Sequence, residues 1–198
     1  MAIKLASIFF TMILVDNYVL AKFLGICPFL GVSKKLDSAV GMSLAVTFVM
    51  VMATAATWPL YMGILAPNGL EYLQTIVFIL VIAILVQLLE NFLKKFIPAL
   101  YKSLGVYLPL ITTNCTILGV TILNLDNGYS FPESIVCAAG AGIGFLVAMV
   151  LFSGVRRKVE QAIVPECFKG LPITLVAAAM TSLSFMGFGG IIESIFHV

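Results

Sequence analysis

Two of the four cysteines of this chain occur in matching sequence contexts. Residues 27–32 read CPFLGV and residues 115–120 read CTILGV, so the pattern C-x-x-L-G-V begins at Cys27 and again at Cys115. Thiolates are soft ligands that suit iron–sulfur clusters, zinc and Cu(I). A [2Fe–2S] cluster takes four protein ligands, so two cysteines of one chain would form half of such a site. A second chain with the same motif would complete it.

Two other roles for this pair stay open on residue chemistry alone. Cysteine is commonly a small, inert, buried hydrophobic residue, and two cysteines that meet in an oxidising layer can form a disulfide. The remaining cysteines, Cys137 and Cys167, have no partner in a C-x-x-C or His–Cys spacing. We therefore predict structural roles for both of them.

Polar residues inside apolar stretches are the other candidates for function. Asp16 and Asn17 interrupt the apolar N-terminal region, and we predict a role in ion coupling for them. Lys22 can neutralise Asp16 or extend to the membrane interface instead. Thr113 and Asn114 lie immediately before the second cysteine of the pair. There, side-chain hydrogen bonds to cluster sulfurs would raise the reduction potential.

The elements that position these residues must be membrane helices. Apolar residues make up 62% of the 198 residues and charged residues 10%, with a mean hydropathy of +1.16. Soluble domains have about 25% charged residues, so this composition excludes a soluble enzyme domain, a disordered tail and a nucleic-acid-binding module. A bilayer core about 30 Å thick needs roughly 20 helical residues. Residues 6–32 form one apolar stretch of suitable length, and five further stretches contain no Asp, Glu, Lys or Arg: 38–70, 72–89, 103–125, 134–155 and 170–192.

The positive charges predict the orientation of these helices. All but two of the eleven Lys and Arg residues fall in three of the segments between spans, and short loops rich in these residues stay in the cytoplasm. We therefore predict an all-α integral membrane protein with six transmembrane helices and both termini outside. The charged residues concerned are Lys34, Lys35, Lys94, Lys95, Lys102, Arg156, Arg157, Lys158 and Lys169.

The repeated cysteine motif predicts an inverted repeat. With three helices per half, the second half must enter the membrane from the opposite side, so a pseudo-two-fold axis lies in the membrane plane. We predict a single membrane domain, 1–198, with repeat one at about 1–95 and repeat two at about 96–198. Nearby glycines and prolines predict that helices 1 and 4 are interrupted near Cys27 and Cys115; these residues are Gly25, Pro28, Gly105 and Pro109.

The glycine-rich sequence GAGIG at 140–144 does not predict a nucleotide site. It lies within an apolar stretch and no strand precedes it, whereas a dinucleotide-binding loop joins a strand to a helix. Gly140 and Gly144 instead form the G-x-x-x-G pattern of a close helix contact. We therefore predict that this chain binds no flavin or NAD, and that such sites belong to partner subunits.

Three segments of the sequence carry a resemblance to a known family. They are FLGICPFLGVSKK at 23–35, LYKSLGVYLPLITTNCTILGV at 100–120 and SFMGFGG at 184–190. From about Asp16 to the C-terminus the chain resembles the RnfA/NqrE family of membrane subunits, and its two cysteine motifs are more similar to the Rnf branch. The resemblance implies a bacterial inner-membrane, multi-pass subunit of an ion-translocating oxidoreductase. This complex moves electrons between reduced ferredoxin and NAD⁺ while it translocates Na⁺ or H⁺.

The same resemblance implies a cofactor and partners. In this family RnfA pairs with its paralogue RnfE in the opposite orientation, and each supplies two intramembrane cysteines to one [2Fe–2S] cluster. These cysteines match Cys27 and Cys115 by motif. The other subunits of the complex are B, C, D and G, and no activity is expected of this chain alone. Two alternatives are the NqrE subunit of the Na⁺-translocating NADH:quinone reductase and a secondary ion transporter whose site centres on Asp16, Asn17 and Asn114.

Overall fold

The helices follow the apolar stretches of the sequence. The computed structural model describes residues 2–33, 36–96, 108–162 and 164–196, and all regular secondary structure in these residues is helical, as predicted. The helices are α1 (Ala2–Leu14), α2 (Ile26–Val32), α3 (Leu36–Leu60), α4 (Gln74–Phe96), α5 (Leu108–Thr112), α6 (Cys115–Asp126), α7 (Phe131–Glu160) and α8 (Leu171–Phe196).

Helix length separates these elements into two groups. Three helical segments of the described residues are long and apolar enough to cross a bilayer: Leu36–Asn68, Gln74–Phe92 and Phe131–Glu160. The first of them continues α3 through a π-helical turn, Tyr61–Leu65. Three shorter apolar helices are Lys4–Leu14, Leu110–Asp126 and Leu171–Gly187. The structure is thus that of a helical membrane protein, while six spans, outside termini and the inverted relation of the two halves stay predictions.

The first predicted interruption is present between α1 and α2. Residues 15–25 are not part of any helix, and both Phe23 (φ 55°) and Gly25 (φ 81°) adopt left-handed backbone conformations. Pro28, which we expected to break the helix, instead lies in the first turn of α2. Proline fits that position because the amide groups of a first turn have no partner within the helix. The break therefore precedes Cys27 rather than following it.

The second predicted interruption lies between α5 and α6. Helix α5 ends at Thr112, and α6 begins at Cys115 with Asn114 as its N-cap. The Asn114 side-chain oxygen accepts a hydrogen bond from the backbone amide of Thr116 at 3.0 Å. Asparagine is among the best N-cap residues because this bond satisfies an amide that the helix leaves free. Pro109 lies within α5, and Gly105 is outside the described residues.

Helix α7 packs between α1 and α3. A Cβ atom on Gly140 would lie 3.2 Å from the carbonyl oxygen of Phe9, and one on Gly144 would lie 3.0 Å from that of Met12. The G-x-x-x-G face therefore brings α7 against the backbone of α1, as the spacing predicts. A Cβ atom on the neighbouring Gly142 would lie even closer, 2.5 Å from a side-chain carbon of Thr47 in α3.

Two polar contacts attach the first interruption to the second half of the chain. The Asn17 side-chain amide donates to the carbonyl oxygen of Gly144 at 2.8 Å, and the Ser182 hydroxyl donates to the carbonyl oxygen of Leu20. Non-helical backbone inside an apolar bundle is stable only when such groups are satisfied within the protein. These contacts hold the segment before Cys27 against α7 and α8.

Ion pairs and hydrogen bonds also join the ends of the helices. At the end predicted to be outside, Lys4 forms an ion pair with Glu133 at 2.8 Å. At the opposite end, Arg156 donates to the Ser33 hydroxyl at 2.8 Å and to the carbonyl oxygen of Leu30. Residues predicted to share a side of the membrane thus meet, as the predicted topology requires. Lys34, Lys35 and Lys102 lie outside the described residues.

Candidate functional site

The structure brings the two cysteine segments together. The backbone amide of Gly25 donates a hydrogen bond to the sulfur of Cys115 at 2.9 Å, across 90 positions of sequence. Because Gly25 is only two residues before Cys27, the Cα atoms of these two residues are at most about 7 Å apart. Helices α2 and α5 are also in contact. Cys27 and Cys115 therefore lie at adjoining helix breaks.

The two paired cysteines differ from a core cysteine in exposure. Cys27 and Cys115 are both free thiols and both exposed, although each lies in a strongly apolar segment, whereas Cys137 is fully buried. No disulfide joins the described cysteines, so the pair is not cross-linked in this structure. Cys167 is exposed in the short turn Glu166–Phe168, between α7 and α8. The exposed pair is open to a second molecule.

Gly25 is a residue of the site that sequence reasoning identified only as a helix breaker. Its φ of 81° favours glycine, and a Cβ atom at this position would lie 2.1 Å from the hydroxyl oxygen of Thr116. Glycine therefore permits the close approach that places its amide on the Cys115 sulfur. The only signal in the sequence for this role is a glycine two residues before a cysteine. That pattern does not indicate which sulfur accepts the hydrogen bond.

A groove of about 410 Å³ opens beside Cys115. One wall comes from α4, in the first half of the chain, and the other from the break between α5 and α6. Both predicted neighbours of the cluster, Thr113 and Asn114, line this groove together with Cys115. The remaining lining residues are Ile79, Ile82, Ala83, Thr112 and Leu118.

Two polar atoms next to Cys115 are buried without a hydrogen-bond partner among the residues that the structure describes. They are the side-chain nitrogen of Asn114 and the hydroxyl oxygen of Thr116. An unsatisfied buried polar group costs about 1–3 kcal/mol, so native proteins seldom leave one without a ligand, water or function. Asn114 lines the groove beside Cys115, whereas Thr116 is fully buried and does not line it. Of the two atoms, the Asn114 nitrogen is therefore the candidate donor to a group bound in the groove.

The predicted ion-coupling residues lie in the first interruption. Asn17 is buried, and its side chain bonds to backbone groups: among other bonds, it donates to the carbonyl oxygen of Gly144 and accepts from the amide of Val19 at 3.1 Å. These contacts give Asn17 a structural role. Asp16 is half-buried, and its carboxylate is close enough to Tyr18 and Tyr129 to interact with them electrostatically.

Lys22 does not pair with Asp16 in the described part of the chain. Its ammonium group lies 4.9 Å from the centre of the Tyr18 ring, in a cation–π contact. The nearest lysine in sequence therefore forms no salt bridge with the Asp16 carboxylate.

The donor atoms of the site fit half of a shared cluster. Two exposed thiols lie at adjoining helix breaks, and one of them already accepts an amide hydrogen bond of the kind that surrounds cluster sulfurs. Within the described residues, no group of three or more His, Cys, Asp or Glu side chains is arranged to hold a metal ion. Among the described residues, the site thus offers two thiols, which is half of the ligand set of a [2Fe–2S] cluster.

Comparison with known proteins identifies the family. The family model described as "Rnf-Nqr subunit, membrane protein" matches residues 5–192. The A subunit of the ion-translocating oxidoreductase complex of Syntrophotalea carbinolica is 54% identical over 180 residues, which cover 91% of this chain and 93% of that protein. The A subunit of the Na⁺-translocating ferredoxin:NAD⁺ oxidoreductase complex of Acetobacterium woodii is 53% identical over 186 residues, covering 94% and 97%. Its counterpart in the ion-translocating oxidoreductase complex of Aliivibrio salmonicida is 51% identical over 181 residues, covering 91% and 94%. This chain therefore belongs to the Rnf-Nqr family of membrane protein subunits.

Proposed function

We propose that this chain is the A subunit of an ion-translocating ferredoxin:NAD⁺ oxidoreductase of the bacterial inner membrane, and that it holds half of an intramembrane [2Fe–2S] cluster. The observation that carries the proposal is the junction of two exposed thiols, Cys27 and Cys115, at adjoining helix breaks. The names of the similar proteins favour the Rnf branch over the quinone reductase.

Each cysteine would bind iron as a thiolate. A thiolate is costly to bury in an apolar environment unless a metal neutralises its charge, so cluster binding and thiol deprotonation occur together. When bound, the cluster supplies one-electron transfer. Ile79, Ile82 and Leu118 line the groove and would exclude water from the cluster. The orphaned donor of Asn114, and Thr113 next to it, would hydrogen-bond to cluster sulfurs.

Two of the four ligands must come from a partner. The RnfE paralogue, in the opposite membrane orientation, would present an equivalent pair of cysteines to the exposed face of Cys27 and Cys115. Ferredoxin, flavin and NAD⁺ would bind to other subunits, B, C, D and G. This chain is then one relay in an electron path and has no turnover by itself.

Ion coupling is proposed for Asp16. Ionisable residues within apolar helices are expensive to bury and commonly serve ion or proton movement. The half-buried Asp16 carboxylate lies in the same interrupted segment that leads to Cys27, so a change at the cluster can reach it through a short, non-helical stretch. Asn17 would support this role by fixing the turn to α7.

The test is cluster content in cysteine variants of the purified complex. Cys27→Ser and Cys115→Ser should each lose one [2Fe–2S] signal in low-temperature EPR of the dithionite-reduced complex, together with its iron. Cys167→Ser is the matched control, because it makes the same change at an exposed thiol away from the breaks, and it should keep both. Assembly of each variant is checked by subunit composition. An unchanged signal in the Cys27 and Cys115 variants would refute the proposal.

A further inference from the structure

We propose that the backbone amide of Gly25 is a fixed hydrogen-bond donor to the Cys115 ligand, which positions this thiolate and raises the reduction potential of the cluster. The inference rests on the proposed function, because it assigns a role toward the same cluster. It adds a residue that carries no side chain and therefore acts only through its backbone.

The contact is specific to the tertiary fold. The Gly25 amide comes from the first interruption and the Cys115 sulfur from the second, and the two atoms are 2.9 Å apart. Two backbone hydrogen bonds hold the turn that presents this amide. The amide of Leu24 donates to the carbonyl oxygen of Tyr18 at 2.8 Å, and the amide of Phe29 donates to the carbonyl oxygen of Gly25 at 3.3 Å. The donor is thus held by its own turn and by the start of α2.

Glycine is required here for two independent reasons. The φ of 81° is unfavourable for residues with a Cβ atom. In addition, a Cβ atom would lie 2.1 Å from the Thr116 hydroxyl oxygen and 3.1 Å from a ring carbon of Phe145, so the loop would have to move away from α6. Gly119, one turn further along α6, leaves room for Leu24 in the same way. A Cβ atom on Gly119 would lie 2.6 Å from the Leu24 side chain.

The chemical consequence follows from the charge of the cluster. Reduction adds a negative charge, part of which resides on the ligand sulfurs, and a donor aimed at sulfur stabilises the reduced form more than the oxidised form. Hydrogen bonds to sulfur are among the features that set cluster potentials. An amide on the Cys115 sulfur should therefore raise the midpoint potential, and a displaced amide should lower it.

The experiment uses the assembled complex and compares four forms. They are the wild type, Gly25→Ala, Thr116→Ala, and the double variant with both changes. The measurements are iron content and the midpoint potential from an EPR-monitored redox titration.

Gly25→Ala should lower the potential, because the new methyl group pushes the loop off α6. The double variant should recover part of the lost potential, since the Thr116 hydroxyl oxygen that the new methyl group would contact is gone. Thr116→Ala alone should stay near the wild-type potential.

Gly31→Ala is a matched control within the same segment. A Cβ atom there meets nothing within 4 Å, so this variant should keep the wild-type potential. A wild-type potential in Gly25→Ala with its iron retained would overturn the inference. If Gly25→Ala loses its iron, recovery of iron in the double variant supports the inference and no recovery overturns it. Failure of the proposed function differs from all of these, because the Cys27→Ser and Cys115→Ser complexes would then keep the cluster signal.

Discussion

At the scale of single residues, Asn114 combines a structural contact with a donor that has no partner within the described residues. Its side-chain oxygen caps α6 by accepting from the Thr116 amide, while its side-chain nitrogen is buried beside Cys115 without an acceptor. The cap explains why an asparagine is suitable at this position. It does not explain why the nitrogen is left unsatisfied, which a bound cluster would account for.

Substitutions that keep or remove the cap separate these two roles. Asn114→Ala should lower the stability of the assembled complex by about 1 kcal/mol, because α6 loses its N-cap. Asn114→Ser keeps a capping oxygen and should unfold close to the wild-type temperature in detergent. Both variants lack the side-chain nitrogen, so both should lower the midpoint potential of the cluster. A wild-type potential in both variants would show that Asn114 acts only as a cap.

At the scale of elements, the short helix α2 depends on α7 for its position. It has seven residues and its capping residue Gly25 provides no side-chain bond. Isolated helices of this length are not stable in water, so α2 is maintained by tertiary contacts. One contact is the Arg156 guanidinium at the C-terminal end of α2, where the last carbonyl groups have no helical partner. The position of Cys27 therefore rests partly on an arginine of the other half.

Neutralising this arginine should destabilise the complex. Arg156→Gln leaves the carbonyl oxygen of Leu30 without its charged donor, which should cost about 1–3 kcal/mol. Thermal unfolding of the purified complex measures the change. Arg157→Gln removes the same charge from the next residue, which is exposed, and should have little effect. Equal unfolding temperatures for the two variants would show that the Arg156 contact does not hold α2.

At the scale of the whole molecule, the proposed cluster would take two of its four ligands from another subunit. Its two exposed thiols would meet a partner, while Asp16, the residue proposed for ion coupling, lies in the segment that precedes Cys27. Electron transfer and ion movement would therefore use the same interrupted segment of this chain. This arrangement predicts that the two processes can be separated by substitution.

Removing the Asp16 charge should uncouple the complex. Asp16→Asn keeps the size of the side chain but cannot carry a charge, so ion uptake by inverted vesicles should fall to background while the [2Fe–2S] signal stays. Uptake is measured for both Na⁺ and H⁺ during ferredoxin oxidation by NAD⁺. Asp126→Asn, at an exposed carboxylate that ends α6, is the control and should pump normally. Full ion uptake in Asp16→Asn would exclude this residue from the ion path.

The sequence by itself determined the features that depend on local composition. Long apolar stretches form helices in a bilayer because their backbone polar groups must bond internally, so the helical membrane fold follows from hydropathy. The motifs around Cys27 and Cys115 indicated the family and the two breaks. Pro28 was the exception: its chemistry is compatible with either breaking a helix or starting one, and only the path of the chain distinguishes these outcomes.

Only the tertiary structure decided which groups meet across the chain. The Gly25 amide on the Cys115 sulfur and the Arg156 side chain on α2 join residues far apart in sequence. Exposure of the two thiols, like burial of Cys137, is also a property of packing. The physical reason is that hydropathy and turn preference act over a few neighbouring residues. A hydrogen bond between distant segments depends instead on how all the helices pack against one another.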